Sequence, residues 1–360
     1  MSEPSSEASL RPVMCVVGAR PNFMKMAPIL RALAKHVPPL PTLLVHTGQH
    51  YDQAMSGQLF ADLDLPLPDL NRDVGSGSHA VQTAEVMRRF EPALDAHRPS
   101  CVLVVGDVNS TLACTLVAVK KGVQVAHVEA GLRSYDRQMP EEINRIVTDQ
   151  LADRLYTTER SALGNLLAEG IAAERVRFCG NVMIDSLLAH RQRAHPAADT
   201  LRAHGIDPKV LNHPRGYGVV TLHRPSNVDD PQTLRALLAV LGEVAMQLPL
   251  IFAMHPRTRS QIDKLAGADL IDPTRLLALP PQGYLEMLGL VAGASVVLAD
   301  AGGLQEETTA LGGRAILRAV DEILGGRGKR GRVPELWDGH AADRIASDLW
   351  HWLRPSAETH

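Results

Sequence analysis

Short runs of Val, Leu, Ile and Ala alternate along this chain with longer stretches of helical pattern, and each run stops at a polar or glycine-bearing loop. Continuous apolar runs of this length belong to strands buried on both faces, the condition of a parallel sheet covered by helices on either side. In the first half the runs are Val13–Val17, Thr42–His46, Cys101–Val105, Gln124–Val128 and Arg154–Thr157, closed by GARPN, TGQHYD, GDVNST, EAGLRS and TERS. Ligands of open α/β sheets bind outside the carboxyl ends of the strands, so these five loops are expected to line one cleft. A second series, Gly218–Leu222, Leu250–Met254, Leu276–Leu279 and Val296–Leu298, ends in HRPSN, HPRT, PPQGY and ADAGG. The Pro- and His-containing stretch from His195 to Arg215 reads as a linker region.

A length of 360 residues implies about two domains. The expected fold class is therefore α/β, with two Rossmann-like doubly wound domains facing each other across a cleft. They are assigned to residues 1–180 and 181–340, and the last apolar pattern, Ala341–Leu353, is a helix within 341–360 that crosses back to the N-terminal domain. One irregularity stands out. A helical pattern over Leu304–Leu311 runs through Gly312 into another over Ile316–Leu324, where alternation calls for a strand, so the second domain is expected to lack one strand. A sheet short of a strand exposes an unpaired edge or must repack.

Composition removes several classes of function. A net charge of −3 argues against a nucleic-acid surface and a polybasic membrane patch, so an anionic ligand must be met by local cations. Cys15, Cys101, Cys114 and Cys179 show no CxxC spacing, and three lie in or beside apolar runs, which reads as buried thiols in a reducing compartment. No HExxH pair or structural zinc pattern is present, and no metal is expected. The first residues lack an apolar signal core, and no apolar stretch reaches the ~18 residues of a membrane span; a cytoplasmic protein is expected.

The densest chemistry lies in HVEAGLRSYDRQMPEEINR, His127 to Arg145. Glu129 follows a strand, while Pro140, Glu141 and Glu142 make a helix start with acids in its first turn. Carboxylates from a strand end and a helix start can converge on one crevice, as acid/base chemistry on a small polar substrate requires. Asp107, after the strand Cys101–Val105, joins Glu129 and Glu141 as the third candidate acid. The competing reading leaves Glu142 and Arg145 as an exposed pair at helical spacing and Glu129 as a loop cap.

Cations and glycines suited to phosphate appear in both halves. Arg20 and Lys25 open the first helix, in a loop that is neither a Walker A nor a GxGxxG motif. In the second half Ala301, Gly302 and Gly303 precede a helix carrying Glu307, so backbone could approach a pyrophosphate and a carboxylate take a ribose diol. The pairs His223/Arg224 and His255/Arg257 follow equivalent strands, which points to anion recognition.

In this order, GARPNFMKMAPIL, TGQH, GDVNST, HVEAGLR with PEEINR, GNVMIDSL, TLHRPSN, HPRT and GGLQEE resemble the non-hydrolysing UDP-N-acetylglucosamine 2-epimerases, from about Val13 to Gly312 and again in the last helix. The resemblance implies a glycosyltransferase-B type fold, a homodimer, no cofactor, and a UDP-sugar substrate with neither nucleic acid nor membrane as partner. It implies interconversion of UDP-GlcNAc and UDP-ManNAc for surface polysaccharide synthesis: a proton leaves C2 as UDP departs from C1, and UDP adds back to a 2-acetamidoglucal after reprotonation on the other face. On the matching motifs Asp107, Glu129, Glu141 and His223 fall on catalytic positions. Arg20, Lys25, Arg145, Gly302 and Glu307 fall on substrate-binding ones. Gln49 and His50 match a motif that in some bacterial members contacts a second, activating UDP-GlcNAc. Two departures are visible: Ala301 where the family has a serine, and no strand with a Thr-Glu-Arg-Pro loop after Gly312. They keep open a UDP-sugar binder impaired in catalysis; a hydrolysing epimerase and a glycosyltransferase on the same fold are further alternatives.

Overall fold

The computed structural model describes residues 11–48, 60–265, 272–300, 313–325 and 333–354. These residues fall into two compact units, divided between His190 and Arg191 and again ahead of Val333.

Unit 1 is built on a seven-stranded, wholly parallel sheet in the order β3-β2-β1-β4-β5-β6-β7. The strands are β1 (Val13–Val17), β2 (Thr42–His46), β3 (Leu70–Asn71), β4 (Cys101–Val105), β5 (Gln124–Val128), β6 (Arg154–Thr157) and β7 (Val176–Phe178). Both VMCVV of β1 and CVLVV of β4 are buried at every position, as the continuous apolar runs require. The intervening helices are α1 (Arg20–Lys35), α2 (His79–His97), α3 (Asn109–Lys120), α4 (Pro140–Leu151), α5 (Arg160–Ala168) and α6 (Val182–His190). Five strands occur at the expected residues. β3 and β7, two and three residues long, were not anticipated, because runs so short carry no readable period.

Unit 2 holds a second parallel sheet, ordered β10-β9-β8-β11, from β8 (Gly218–Thr221), β9 (Leu250–Ala253), β10 (Leu276–Leu279) and β11 (Val296–Ala299). Alternate residues feed two cores. Val220, Leu250, Phe252 and Leu276 pack with Leu234, Leu238, Leu241 and Val244, while Val219, Ile251, Leu277 and Leu279 pack with Leu201, Tyr217 and Leu290. Among the described residues this sheet has four strands, and the chain resumes at Gly313 as a helix, Gly313–Leu324; residues 301–312, with the expected Leu304–Leu311 helix, lie outside the description.

The stretch from His195 to Arg215 is not a linker. It forms α7 (Ala197–Ala203) and a short 3-10 helix, Pro208–Asn212, and Leu201 is fully buried in the second core. Its prolines mark starts rather than loose chain: Pro196 stands at the N-cap of α7 and Pro208 in the first turn of the 3-10 helix. The remaining helices of unit 2 are α8 (Pro225–Val228), α9 (Pro231–Ala245), α10 (Pro256–Lys264), α11 (Tyr284–Ala292) and α12 (Gly313–Leu324).

The last helix, α13 (Ala341–Leu353), belongs to unit 1 and packs on α1 and α6. Asp185 of α6 caps it, accepting from Ala341 N at 3.3 Å and Ala342 N at 2.7 Å. Further along, Asp348 accepts the Tyr156 hydroxyl at 2.9 Å and pairs with Arg154 and Arg177. No described helix is long and apolar enough to cross a membrane.

Candidate functional site

The carboxyl ends of β1, β2 and β4 meet within hydrogen-bonding distance. Thr47 Oγ1 and Ser110 Oγ lie 2.7 Å apart against Gly18, where an added Cβ would stand 2.2 Å from Ser110 Oγ. Asn22, buried in the first turn of α1, accepts from Gly18 N at 3.1 Å and Ala19 N at 3.0 Å and donates to Val105 O at 2.9 Å. One side chain thus fixes the first loop to the end of β4. These contacts bring Gly18–Asn22, Thr47 and Ser110 of the three strand-end segments together, as expected of such loops.

Three ion pairs sit on this platform, two of them sharing Arg145. Lys25 Nζ lies 2.7 Å from Glu129 Oε1, with only 12% and 16% of the two side chains exposed. The ammonium passes beside Gly106, where an added Cβ would be 3.0 Å from it. Glu129 is in the left-handed region, φ 69°, held by its N–H and that of Ala130 on Tyr156 O. A non-glycine residue there is strained, and such strain concentrates at functional sites. Arg145 Nη1 lies 3.4 Å from Asp107 Oδ2 and Nη2 lies 2.9 Å from Glu142 Oε2. Asn144 Nδ2 donates to Asp107 O at 2.8 Å, so α4 holds both the backbone and the carboxylate of that residue.

Glu141 and Glu142 have different tasks. Glu142 is buried and accepts from Ser134 N at 3.0 Å and Tyr135 N at 2.9 Å. Burial pushes its pKa up, but these two donors and Arg145 outweigh burial and hold it below the ordinary value. It is therefore an anchor of the loop rather than half of an exposed pair. Glu141, half-buried in the first turn of α4, makes no hydrogen bond or ion pair among the described residues. Asp107, Glu129, Glu141, Lys25 and Arg145 all belong to unit 1; Arg20 starts α1, and its side chain is outside the description.

In unit 2, Asp300 at the end of β11 organises the loop after β8. It is buried, and its Oδ2 accepts from His223 N at 2.8 Å, Arg224 N at 2.7 Å and Asn227 Nδ2 at 3.3 Å, while Oδ1 lies 2.9 Å from His223 Nδ1. Burial would raise Asp300, but His223 and the two N–H donors overcome it and hold its pKa at about 2. The same carboxylate raises His223, whose side chain is half exposed. His255 lies next to it, ring centroids 6.4 Å apart, and is lowered first by burial, then by the charges of His223 and Arg257. The two histidines after equivalent strands do stand side by side. His255 Nδ1 caps its own helix by accepting from Arg257 N at 3.2 Å, and Arg257 is engaged by Asp229 through Nε at 2.7 Å and through Nη2. Arg224 keeps its guanidinium without a partner among the described residues.

Ala301, Gly302, Gly303, Glu307, Gln49 and His50 lie outside the described residues. Asn22 and Asp149 are not among the site residues that the sequence suggests, and Asp300 is marked only by its place directly before Ala301, Gly302 and Gly303; Asn22 and Asp149 look like ordinary helix residues until the fold brings backbone amides to them.

The comparisons with known proteins follow this geometry. A family model described as UDP-N-acetylglucosamine 2-epimerase matches residues 32–318. A UDP-N-acetylglucosamine 2-epimerase of Methanococcus maripaludis is 36% identical over 299 residues, 82% of this chain and 80% of that protein. A UDP-2,3-diacetamido-2,3-dideoxy-D-glucuronate 2-epimerase of Pseudomonas aeruginosa is 39% identical, again over 82% of this chain and 79% of that protein. Among solved structures, the UDP-GlcNAc 2-epimerase of Methanocaldococcus jannaschii in complex with UDP-GlcNAc and UDP superposes with a TM-score of 0.80 at 32% identity, covering 94% of this chain and 99% of that one.

Proposed function

The chain belongs to the UDP-N-acetylglucosamine 2-epimerase family, and from that premise we propose that it inverts C2 of a UDP-N-acetylhexosamine, interconverting UDP-GlcNAc and UDP-ManNAc. The observation that carries the reading is the set of three carboxylates of unit 1, two after strands and one at a helix start: Glu129 on Lys25, Asp107 on Arg145, and Glu141 with no partner among the described residues. The C2 proton is weakly acidic, so its removal needs a positioned base together with stabilisation of the departing diphosphate. Inversion needs a second group that returns a proton to the opposite face. In the proposed reaction one carboxylate takes the C2 proton while UDP leaves C1, a glucal forms, and another carboxylate protonates the other face before UDP adds back.

Within unit 1, Lys25 and Arg145 set the charge around the two acids; within unit 2, His223 and Arg224 are proposed as anion-binding residues. His223 is suited to that task, because Asp300 favours its protonated form. The sequence resemblance also carries the expectation of a homodimer, which light scattering tests. Incubating the purified chain with UDP-N-acetylglucosamine in D2O and resolving the products is the decisive experiment. Formation of UDP-N-acetylmannosamine with deuterium at C2 is expected; no inversion and no exchange at any enzyme level would end the proposal. The Pseudomonas relative makes a diacetamido uronate a second substrate to assay.

A further inference from the structure

His127 and Asp149 are both fully buried in unit 1. His127 Nε2 lies 2.8 Å from Gly106 O, and its Nδ1 lies 2.7 Å from Asp149 Oδ1. A carbonyl oxygen only accepts, so Nε2 carries a proton. The other nitrogen meets a carboxyl group that is itself held as carboxylate by two further donors, Gly131 N at 3.0 Å and Arg133 Nη2 at 2.7 Å, both on Oδ2. Burial opposes ionisation of Asp149, but His127 and Arg133 outweigh it and bring its pKa below the ordinary value. The imidazole therefore bridges Gly106 O and the Asp149 carboxylate. Arg133 in turn grips Glu169 through Nε at 2.7 Å and Nη2 at 2.6 Å.

The connectivity of this group matters more than its charge. Asp149 holds His127 with one oxygen and Gly131 N with the other, so one carboxylate brackets Glu129 at the positions two before and two after it. The far nitrogen of His127 then grips Gly106, the residue before Asp107. Asn144, on the same helix as Asp149, donates to Asp107 O. The strained turn carrying Glu129 and the loop carrying Asp107 are therefore held to each other by the His127 imidazole as well as by the backbone bond from Gly106 N to Val128 O at 3.0 Å.

We infer that His127 and Asp149 are positioning residues, which set the Glu129 carboxylate relative to Asp107 for proton transfer at C2. The inference rests on the C2 inversion proposed above. It is tested with full-length His127→Gln and Asp149→Asn, measuring kcat, KM for UDP-N-acetylglucosamine, C2 deuterium exchange and thermal melting. A displacement of order 1 Å in an acid/base pair costs roughly 10²-fold, so kcat and C2 exchange are expected to fall by about that factor while KM moves less than about threefold. Because breaking one partner of a buried ion pair is destabilising, the neutral double variant His127→Gln/Asp149→Asn is made alongside, and it is expected to melt cooperatively with kcat still low. Asp185→Asn, which disturbs only the cap of α13, is the stability control and is expected to keep its kcat.

Near-native kcat in the folded double variant or in either folded single variant overturns the inference. So does a kcat loss matched by Asp185→Asn at equal loss of melting temperature. Those results leave the proposed function standing, whereas absence of exchange at C2 in the unsubstituted protein removes that function before any variant is examined.

Discussion

Replacing Asp300 by Asn removes one charge from unit 2 with little change of shape. The amide oxygen can take the place of Oδ2 and still accept from His223 N and Arg224 N, and the amide nitrogen then faces Nδ1 of a neutral His223. What disappears is the ion pair. A carboxyl held at about 2 instead of 3.8 contributes about 2 kcal/mol of stability. That contribution is present above 3.8 and is lost as pH falls through about 2. The partner has the opposite sign. His223 is raised above 6.5, so its contribution is complete below 6.5 and disappears as pH rises through the raised value. These are two views of one interaction and are not added. The pair is therefore fully effective between 3.8 and 6.5.

All three tryptophans, Trp337, Trp350 and Trp352, lie in unit 1, so fluorescence is a poor reporter of this change. Amide hydrogen exchange in β8, β9 and β11, corrected for intrinsic rates, reads unit 2 directly. Because the two N–H donors share in that figure, the variant is expected to lose at most about 2 kcal/mol of protection at about pH 5.5, and the gap should be smaller at about pH 9. An equal gap at the two pH values would assign the stabilisation to hydrogen bonds rather than charge. No gap at pH 5.5 would refute the reasoning altogether.

Gly18→Ala places a methyl group 2.2 Å from Ser110 Oγ and 2.9 Å from Thr47 Oγ1, and overpacking of this kind costs about 1–3 kcal/mol; an unchanged urea midpoint would contradict the packing described. Glu141→Gln breaks no contact among the described residues, so melting should stay within about 0.5 kcal/mol while C2 exchange falls by about 10²-fold or more. Exchange at the native rate would remove Glu141 from the proposed acid/base set. Burial pushes the Cys15 and Cys179 thiols up to about 12 and raises Cys101 and Cys114 as well. Native protein should therefore resist an Ellman-type reagent at about pH 8 and react fully once denatured; rapid labelling of the native chain would show these cysteines to be accessible.

Much of the architecture is legible because fully buried parallel strands leave continuous apolar runs. VMCVV and CVLVV have no other ready explanation, and β10 occupies the residues its run marks out. Legibility fails where structure depends on contacts distant in sequence. Leu201 looks like one apolar residue in a Pro- and His-containing stretch until β8, β9 and β10 supply the surface it packs on. Glu142 and Arg145 show helical spacing whether exposed or buried, and only the fold of the Ser134–Tyr135 loop onto α4 turns Glu142 inward. The candidate carboxylates are readable as residue types at strand ends and a helix start, but their division of labour is not: Glu141 and Glu142 are neighbours on one helix, and one anchors a loop while the other has no partner among the described residues.

The chain leaves unit 1 after His190 and re-enters it at Val333, with all of unit 2 between. On a ribosome this orders events in time. The sheet of unit 1 is complete once β7 has emerged, yet α6 must wait for the whole of unit 2 before Ala341 and Ala342 arrive to receive the buried Asp185 carboxylate. Through that interval the faces of α1 and α6 that α13 covers stay open, and domains emerging from the ribosome fold largely as units in the order they are made. Nascent unit 1 thus keeps these faces uncovered until a segment some 150 residues downstream has been translated.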